Sequence, residues 1–146
     1  MKPGKQRIYS KAFEGRDDIV KWDVRPISDG QIIKITFLSK NSPYEQGVRI
    51  ATDRGIDVNG QVFPGVRVWY NPESKEVTHR CLTRDGLLSV YNVWDRGSGV
   101  MSLLHTSGMV IEEKGNLLIY HCNDSGLETS FDKLVFSIEF LQSAPS

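Results

Sequence analysis

Apolar and polar residues alternate with a period of two along several short stretches of this chain. Ile33-Lys34-Ile35-Thr36-Phe37 and Val66-Arg67-Val68-Trp69 show it most clearly. Such a period puts apolar side chains on one face of an extended strand and polar ones on the other. Runs rich in β-branched and aromatic residues carry the same signal over residues 31–38, 48–52, 66–70, 77–82, 87–93, 117–122 and 134–141. Glycine, proline and Asn/Asp clusters separate them. Asn59-Gly60 and Asp85-Gly86 are hairpin dipeptides, and Asn71-Pro72-Glu73 is a turn signal. Residues 10–20 fit a short helix or an edge strand, but Gly15 interrupts them. Many short strands joined by regular turns predict an all-β sandwich or barrel. Trp-Asp occurs twice, as Trp22-Asp23 and Trp94-Asp95, too few for propeller blades that recur every ~40–45 residues.

A chain of 146 residues fits a single domain with a core of its own. Residues 1–8 and 142–146 are polar and are expected to be flexible. Lysine plus arginine number 18, as do aspartate plus glutamate, so the formal net charge is zero. That balance argues against a broad basic footprint for nucleic acid and against binding to an anionic membrane. No apolar run approaches the ~18 residues of a membrane-spanning helix. The basic start Met1 to Arg7 leads into no apolar signal core, so the expectation is a cytoplasmic protein or one exported without a cleaved signal. Cys81 and Cys122 each sit in a strand-like run, and neither belongs to a Cys-x-x-Cys pair. Two buried free thiols are expected, with a disulfide left open.

Three polar constellations remain. The first joins Asn123-Asp124 to Glu128 and Asp132 in a short loop containing Gly126, between two apolar strands. Hard oxygen donors gathered in one loop suit calcium, which takes six to eight oxygens. Turn-capping acids give the same pattern, and the spacing is not that of an EF-hand. The second is Trp94-Asp95-Arg96 before the glycines at 97 and 99. Trp94 is a candidate to stack on a flat ligand, with Asp95 and Arg96 hydrogen-bonding it; a core tryptophan followed by a turn pair fits equally. The third is a candidate acid–base set of Asp95, His105 and His121, should the strands bring them together. No Gly-x-Ser-x-Gly elbow, phosphate loop or zinc-binding histidine run is present. Tyr44 beside Pro43 and Tyr70 beside Asn71-Pro72 are candidate exposed aromatic contacts.

The order of elements from Gly86 onward resembles the calcium-dependent, galactose-binding bacterial lectins. The matching pieces are Gly86-Leu87-Leu88, Thr106-Ser107-Gly108-Met109, Gly115-Asn116-Leu117-Leu118-Ile119-Tyr120, Asn123-Asp124 and Phe136-Ser137-Ile138. Asp29-Gly30-Gln31-Ile32-Ile33 resembles an early strand of the same family. The resemblance implies a jelly-roll-like antiparallel β-sandwich. It implies that Asp124 binds both calcium and sugar, that Glu128 offers its backbone carbonyl, and that Asp132 is a further metal ligand. Phe131 stands where that family has a polar ligand, and Lys133 follows Asp132 directly.

The leading functional expectation is a carbohydrate-binding module, calcium-dependent in its fullest form, with Trp94, Asp95, Arg96, Asn123 and Asp124 contacting a glycan or other polar small molecule. The alternatives are a small β enzyme using Asp95, His105 and His121, and a protein–protein interaction domain that includes a homo-oligomer among its forms.

Overall fold

The structure is a computed structural model that describes residues 6–126 and 129–141. It holds eleven strands and, among the described residues, no helix. The strands are β1 (Ile8–Tyr9), β2 (Ile19–Pro26), β3 (Gln31–Lys40), β4 (Glu45–Val58), β5 (Gln61–Trp69), β6 (Glu76–Leu82), β7 (Leu87–Asp95), β8 (Val100–Ser102), β9 (Gly108–Lys114), β10 (Leu117–Asn123) and β11 (Leu134–Leu141). The expected turn at Asn59-Gly60 joins β4 to β5, with φ of 53° and 88°, the left-handed pair that a two-residue hairpin requires.

The strands pair in the order β2-β9-β10-β11-β3-β6-β4-β7, and β7 pairs with β2. That last pairing closes an eight-stranded antiparallel barrel. The expected jelly-roll sandwich is therefore corrected: the chain is all-β, but its sheet joins edge to edge instead of splitting into two open layers. Period-two alternation is the same in both architectures, and only the partner choice of β2 and β7 separates them.

Two strands turn the corners that closure needs. The first part of β4, residues 45–51, pairs with β7, and its last part, residues 55–57, pairs with β6. The register breaks between Ala51 and Ile56. Thr52 holds the bend: its Oγ1 accepts from the Gly55 N–H at 2.8 Å and donates to the Leu82 carbonyl at 2.6 Å. Strand β2 likewise pairs with β9 at Ile19–Val20 and with β7 at Asp23–Pro26. A strand that changes partners at a bend or bulge is how a sheet folds back on itself. At Gly47 any Cβ would lie 2.6 Å from the Val68 carbonyl oxygen, so the close approach of β5 requires glycine there.

The interior is filled by side chains. Ile33, Ile35 and Phe37 of β3, Val48, Ile50 and Ile56 of β4, Leu118 and Tyr120 of β10, and Leu134, Phe136 and Ile138 of β11 are all buried in one cluster. Tyr120 stacks on Phe136 with ring centroids 4.7 Å apart. The thiols of Cys81 and Cys122 are free and buried; burial pushes the Cys81 thiol up to about 12.

A charge sits among these core side chains. Asp23 is fully buried, and both its oxygens are engaged. Oδ1 accepts from Arg7 Nε at 2.8 Å, while Oδ2 accepts from Arg25 Nε at 2.8 Å and from the Tyr120 hydroxyl at 2.7 Å. Arg25 also bonds Glu113, so two cations and two anions balance. Burial, and after it the Asp23 charge, pushes the Tyr120 hydroxyl well above its ordinary value. With both Asp23 oxygens engaged, this network ties the β1 segment and β2 to β10.

Candidate functional site

Of the four buried side-chain polar atoms without a partner among the described residues, Trp22 Nε1 lies on β2 and the other three gather where β4 begins and where β7 and β10 end. Gln46 pairs with Trp94 across the β4–β7 ladder, and Val48 pairs with Asn92. Val48 points into the core, so the period of two puts Gln46, Asn92 and Trp94 on that same inner face. Gln46 is 1% exposed and Trp94 is fully buried. In β10, Leu118, Tyr120 and Cys122 belong to the core, and Asp124 continues that row. Asp124 is 3% exposed.

These inward groups bond to one another. Gln46 Nε2 donates to Asp124 Oδ2 at 2.9 Å and to Ser42 Oγ at 3.1 Å. The Ser42 hydroxyl lies 3.3 Å from the same carboxylate oxygen, and Asp124 Oδ1 accepts from the Ser125 N–H at 2.6 Å. Asn92 Nδ2 donates to the Asn123 carbonyl at 3.0 Å. Asn123 itself ties its loop down, donating to the carbonyls of Thr106 at 2.9 Å and Gly126 at 2.8 Å. Three buried atoms in this neighbourhood have no partner: Gln46 Oε1, Trp94 Nε1 and Asn123 Oδ1. A buried polar atom left unpaired costs about 1–3 kcal/mol, which marks this end of the barrel as unlike the saturated Asp23 network.

A second tier lies one or two residues further out on the same three segments. Arg96 Nη2 donates to Ser125 Oγ at 2.7 Å, and its guanidinium sits 5.3 Å from the Tyr44 ring centroid. Beside them opens a cleft of about 400 Å³ lined by Pro43, Tyr44, Glu45, Asp95, Arg96 and Gly97. Asp95 Oδ1 caps the turn beyond β7, accepting from the N–H of Gly97 at 2.7 Å and of Gly99 at 3.3 Å. Left-handed φ values of 101° and 126° suit those two positions to glycine.

The structure thus brings together all five residues expected to contact a ligand, in unequal roles. Asp95 and Arg96 line the cleft. Asn123, Asp124 and Trp94 are buried behind them. Trp94 presents no exposed ring, so any stacking surface here belongs to Tyr44. The expected acid–base set is differently placed. His121 lies one residue out of register with the inward row and meets Glu112 through Nε2 at 2.5 Å. His105 is exposed in the loop before β9, and Asp95 Oδ1 accepts from the N–H groups of its own turn. No hydrogen bond among the described residues joins the three.

Of the expected metal ligands, Glu128 lies outside the described residues. Asp132 Oδ2 accepts from Asn41 at 2.9 Å and Oδ1 from Ser130 at 2.8 Å. The Asn41 bond, and then that of Ser130, holds the Asp132 carboxyl below its usual range. Asp124 Oδ2 accepts from Gln46 and Ser42 and Oδ1 from the Ser125 N–H, and among the described residues none of these partners bonds Asp132. Among the described residues no three His, Cys, Asp or Glu side chains gather as a shell for an ion.

Sequence reasoning passed over Gln46 and Ser42. A glutamine between Glu45 and Gly47 looks like any loop residue, and only the β4–β7 register turns it inward. Tyr44 did carry a signal, an aromatic residue beside proline. The chain matches no family model, no curated protein and no solved structure.

Proposed function

We propose that this protein is a non-catalytic binding module for a neutral, hydroxyl-rich ligand of the glycan class, taken at the mouth formed by residues 42–46, 94–97 and 124–126. The single observation carrying this reading is the Arg96–Ser125 bond of 2.7 Å, which draws the β7 end and the Asn123-Asp124 loop into one rim. Sugars present hydroxyls that both donate and accept, set around apolar C–H faces. The rim offers matching groups: the Arg96 fork, the Glu45 and Asp95 carboxylates, and the Tyr44 ring. A few placed polar groups beside an apolar surface is the usual composition of a small-molecule site. The expected catalytic set contributes no shared centre to this mouth, and the reading needs neither catalysis nor a metal.

An array of immobilised neutral glycans tests it. Wild-type protein retains at least one glycan, while Arg96→Ala and Tyr44→Ala, both changed at exposed or half-buried rim positions, lose it. An array with no retained glycan, or equal retention by all three proteins, overturns the reading.

A further inference from the structure

Gln46 and Trp94 stand directly opposite each other on the inner face of the β4–β7 ladder. Directly opposed residues keep their Cβ atoms ~4.5–5.5 Å apart. The orientation of the Gln46 amide is set by its neighbours: Nε2 is held by the Asp124 carboxylate and Ser42, which leaves Oε1 as the free end. Trp94 Nε1 is free as well, and both residues are buried. An unpaired acceptor and an unpaired donor thus belong to two directly opposed, buried residues, next in sequence to the cleft residues Glu45 and Asp95.

Resting on the binding function proposed above, we infer that Gln46 and Trp94 form a seat for a single hydroxyl group of the ligand, and that this seat selects the ligand. The hydroxyl donates to Gln46 Oε1 and accepts from Trp94 Nε1–H. The chemistry excludes other occupants. A cation or ammonium group would face the indole N–H head on. A carboxylate or phosphate would face the glutamine carbonyl, with the Asp124 carboxylate directly behind it. Only a group that both gives and takes a hydrogen bond satisfies the pair. Entry follows from the second tier: Arg96 is exposed and held by one hydrogen bond and one ring contact, so its side chain swings aside without disturbing a strand. Rejection is as strong as acceptance here, because a ligand lacking the hydroxyl leaves both buried atoms unpaired.

The test is a titration of ¹⁵N-labelled full-length protein with D-galactose, D-glucose, D-mannose and L-fucose. The indole N–H signals of Trp22, Trp69 and Trp94 are followed separately, the last assigned with Trp94→Phe. The expected result is a saturable shift of the Trp94 indole signal with at least one sugar, while those of Trp22 and Trp69 stay in place. Gln46→Met, which keeps the side-chain length without the carbonyl, then weakens that sugar about tenfold or more. Binding that moves the amides of residues 95–97 but leaves the Trp94 indole unshifted means that the seat holds water alone, and it overturns the inference while sparing the rim. Absence of any response to all four sugars overturns both.

Discussion

The side-chain amide of Gln46 donates to the carboxylate of Asp124 at 2.9 Å, joining positions 78 residues apart at the mouth of the barrel. This bond orients the one buried glutamine among the described residues and supplies a buried carboxylate with a donor. Gln46→Ala removes it and leaves Asp124 with Ser42 and the Ser125 N–H. The expected cost is about 1–3 kcal/mol, read as a lower urea midpoint with an unchanged slope. A midpoint equal to that of the wild type contradicts the geometry.

The Asp23 network makes the opposite kind of prediction. Its charges are matched, so removing one partner strands the rest. Asp23→Ala leaves Arg25 and the Tyr120 hydroxyl facing an apolar core, a loss of about 3–5 kcal/mol. Tyr120→Phe removes one bond and strands nothing charged, so it costs about 1 kcal/mol. Denaturant unfolding of the two variants should rank them in that order by a clear margin.

Alkaline pH should destabilise the protein. Burial raises the Cys81 thiol from 9.0 to about 12, and it raises Cys122 and Tyr120 as well. The unfolded chain releases these protons near the ordinary values, while the folded chain holds them. Stability is therefore fully present below pH 9.0 and is lost as the pH climbs toward about 12. Each group contributes a slope of about 1.4 kcal/mol per pH unit across its window. Urea titrations at stepped pH should show this fall, and Cys81→Ala should flatten it. A flat profile above pH 9.0 would mean that the thiols are open to solvent.

Calcium should leave the protein unchanged. Both oxygens of Asp124 accept hydrogen bonds, and so do both of Asp132. Among the described residues no three His, Cys, Asp or Glu side chains gather to hold an ion beside them. A ligand of the folded state raises the melting temperature by mass action. Melting curves in millimolar calcium and in millimolar EDTA are expected to coincide, and a rise of several degrees with calcium would contradict this prediction and reveal an ion site.

Much of the strand content was legible from alternation alone. The runs at 77–82, 117–122 and 134–141 fall within a residue of β6, β10 and β11. Strand β2 was not legible, and its physics explains why. Its polar residues Asp23 and Arg25 are the paired, inward ones, while Trp22 stacks on Tyr91 at 4.8 Å on the other side. The usual rule of apolar inside is reversed there. Strand β9 was missed for a related reason: its second half, Glu112-Glu113-Lys114, is charged, although Glu113 serves Arg25. The strand pattern left sandwich and barrel both open, and closure rests on β2 choosing β7, a pairing that local pattern does not encode. At the site, Asp95, Arg96 and Asp124 could be picked out as polar residues at strand ends. Gln46 could not, since burial of a loop-like glutamine depends on a register set by residues around position 92.

Backbone chemical shifts of the labelled protein, followed as the same four sugars are added, decide whether the mouth is the binding site. Saturable shifts should cluster at residues 42–46, 94–97 and 124–126, with the faces bearing His79 and His121 silent. Shifts clustered elsewhere on the barrel, or none at sugar concentrations in the tens of millimolar, would contradict it.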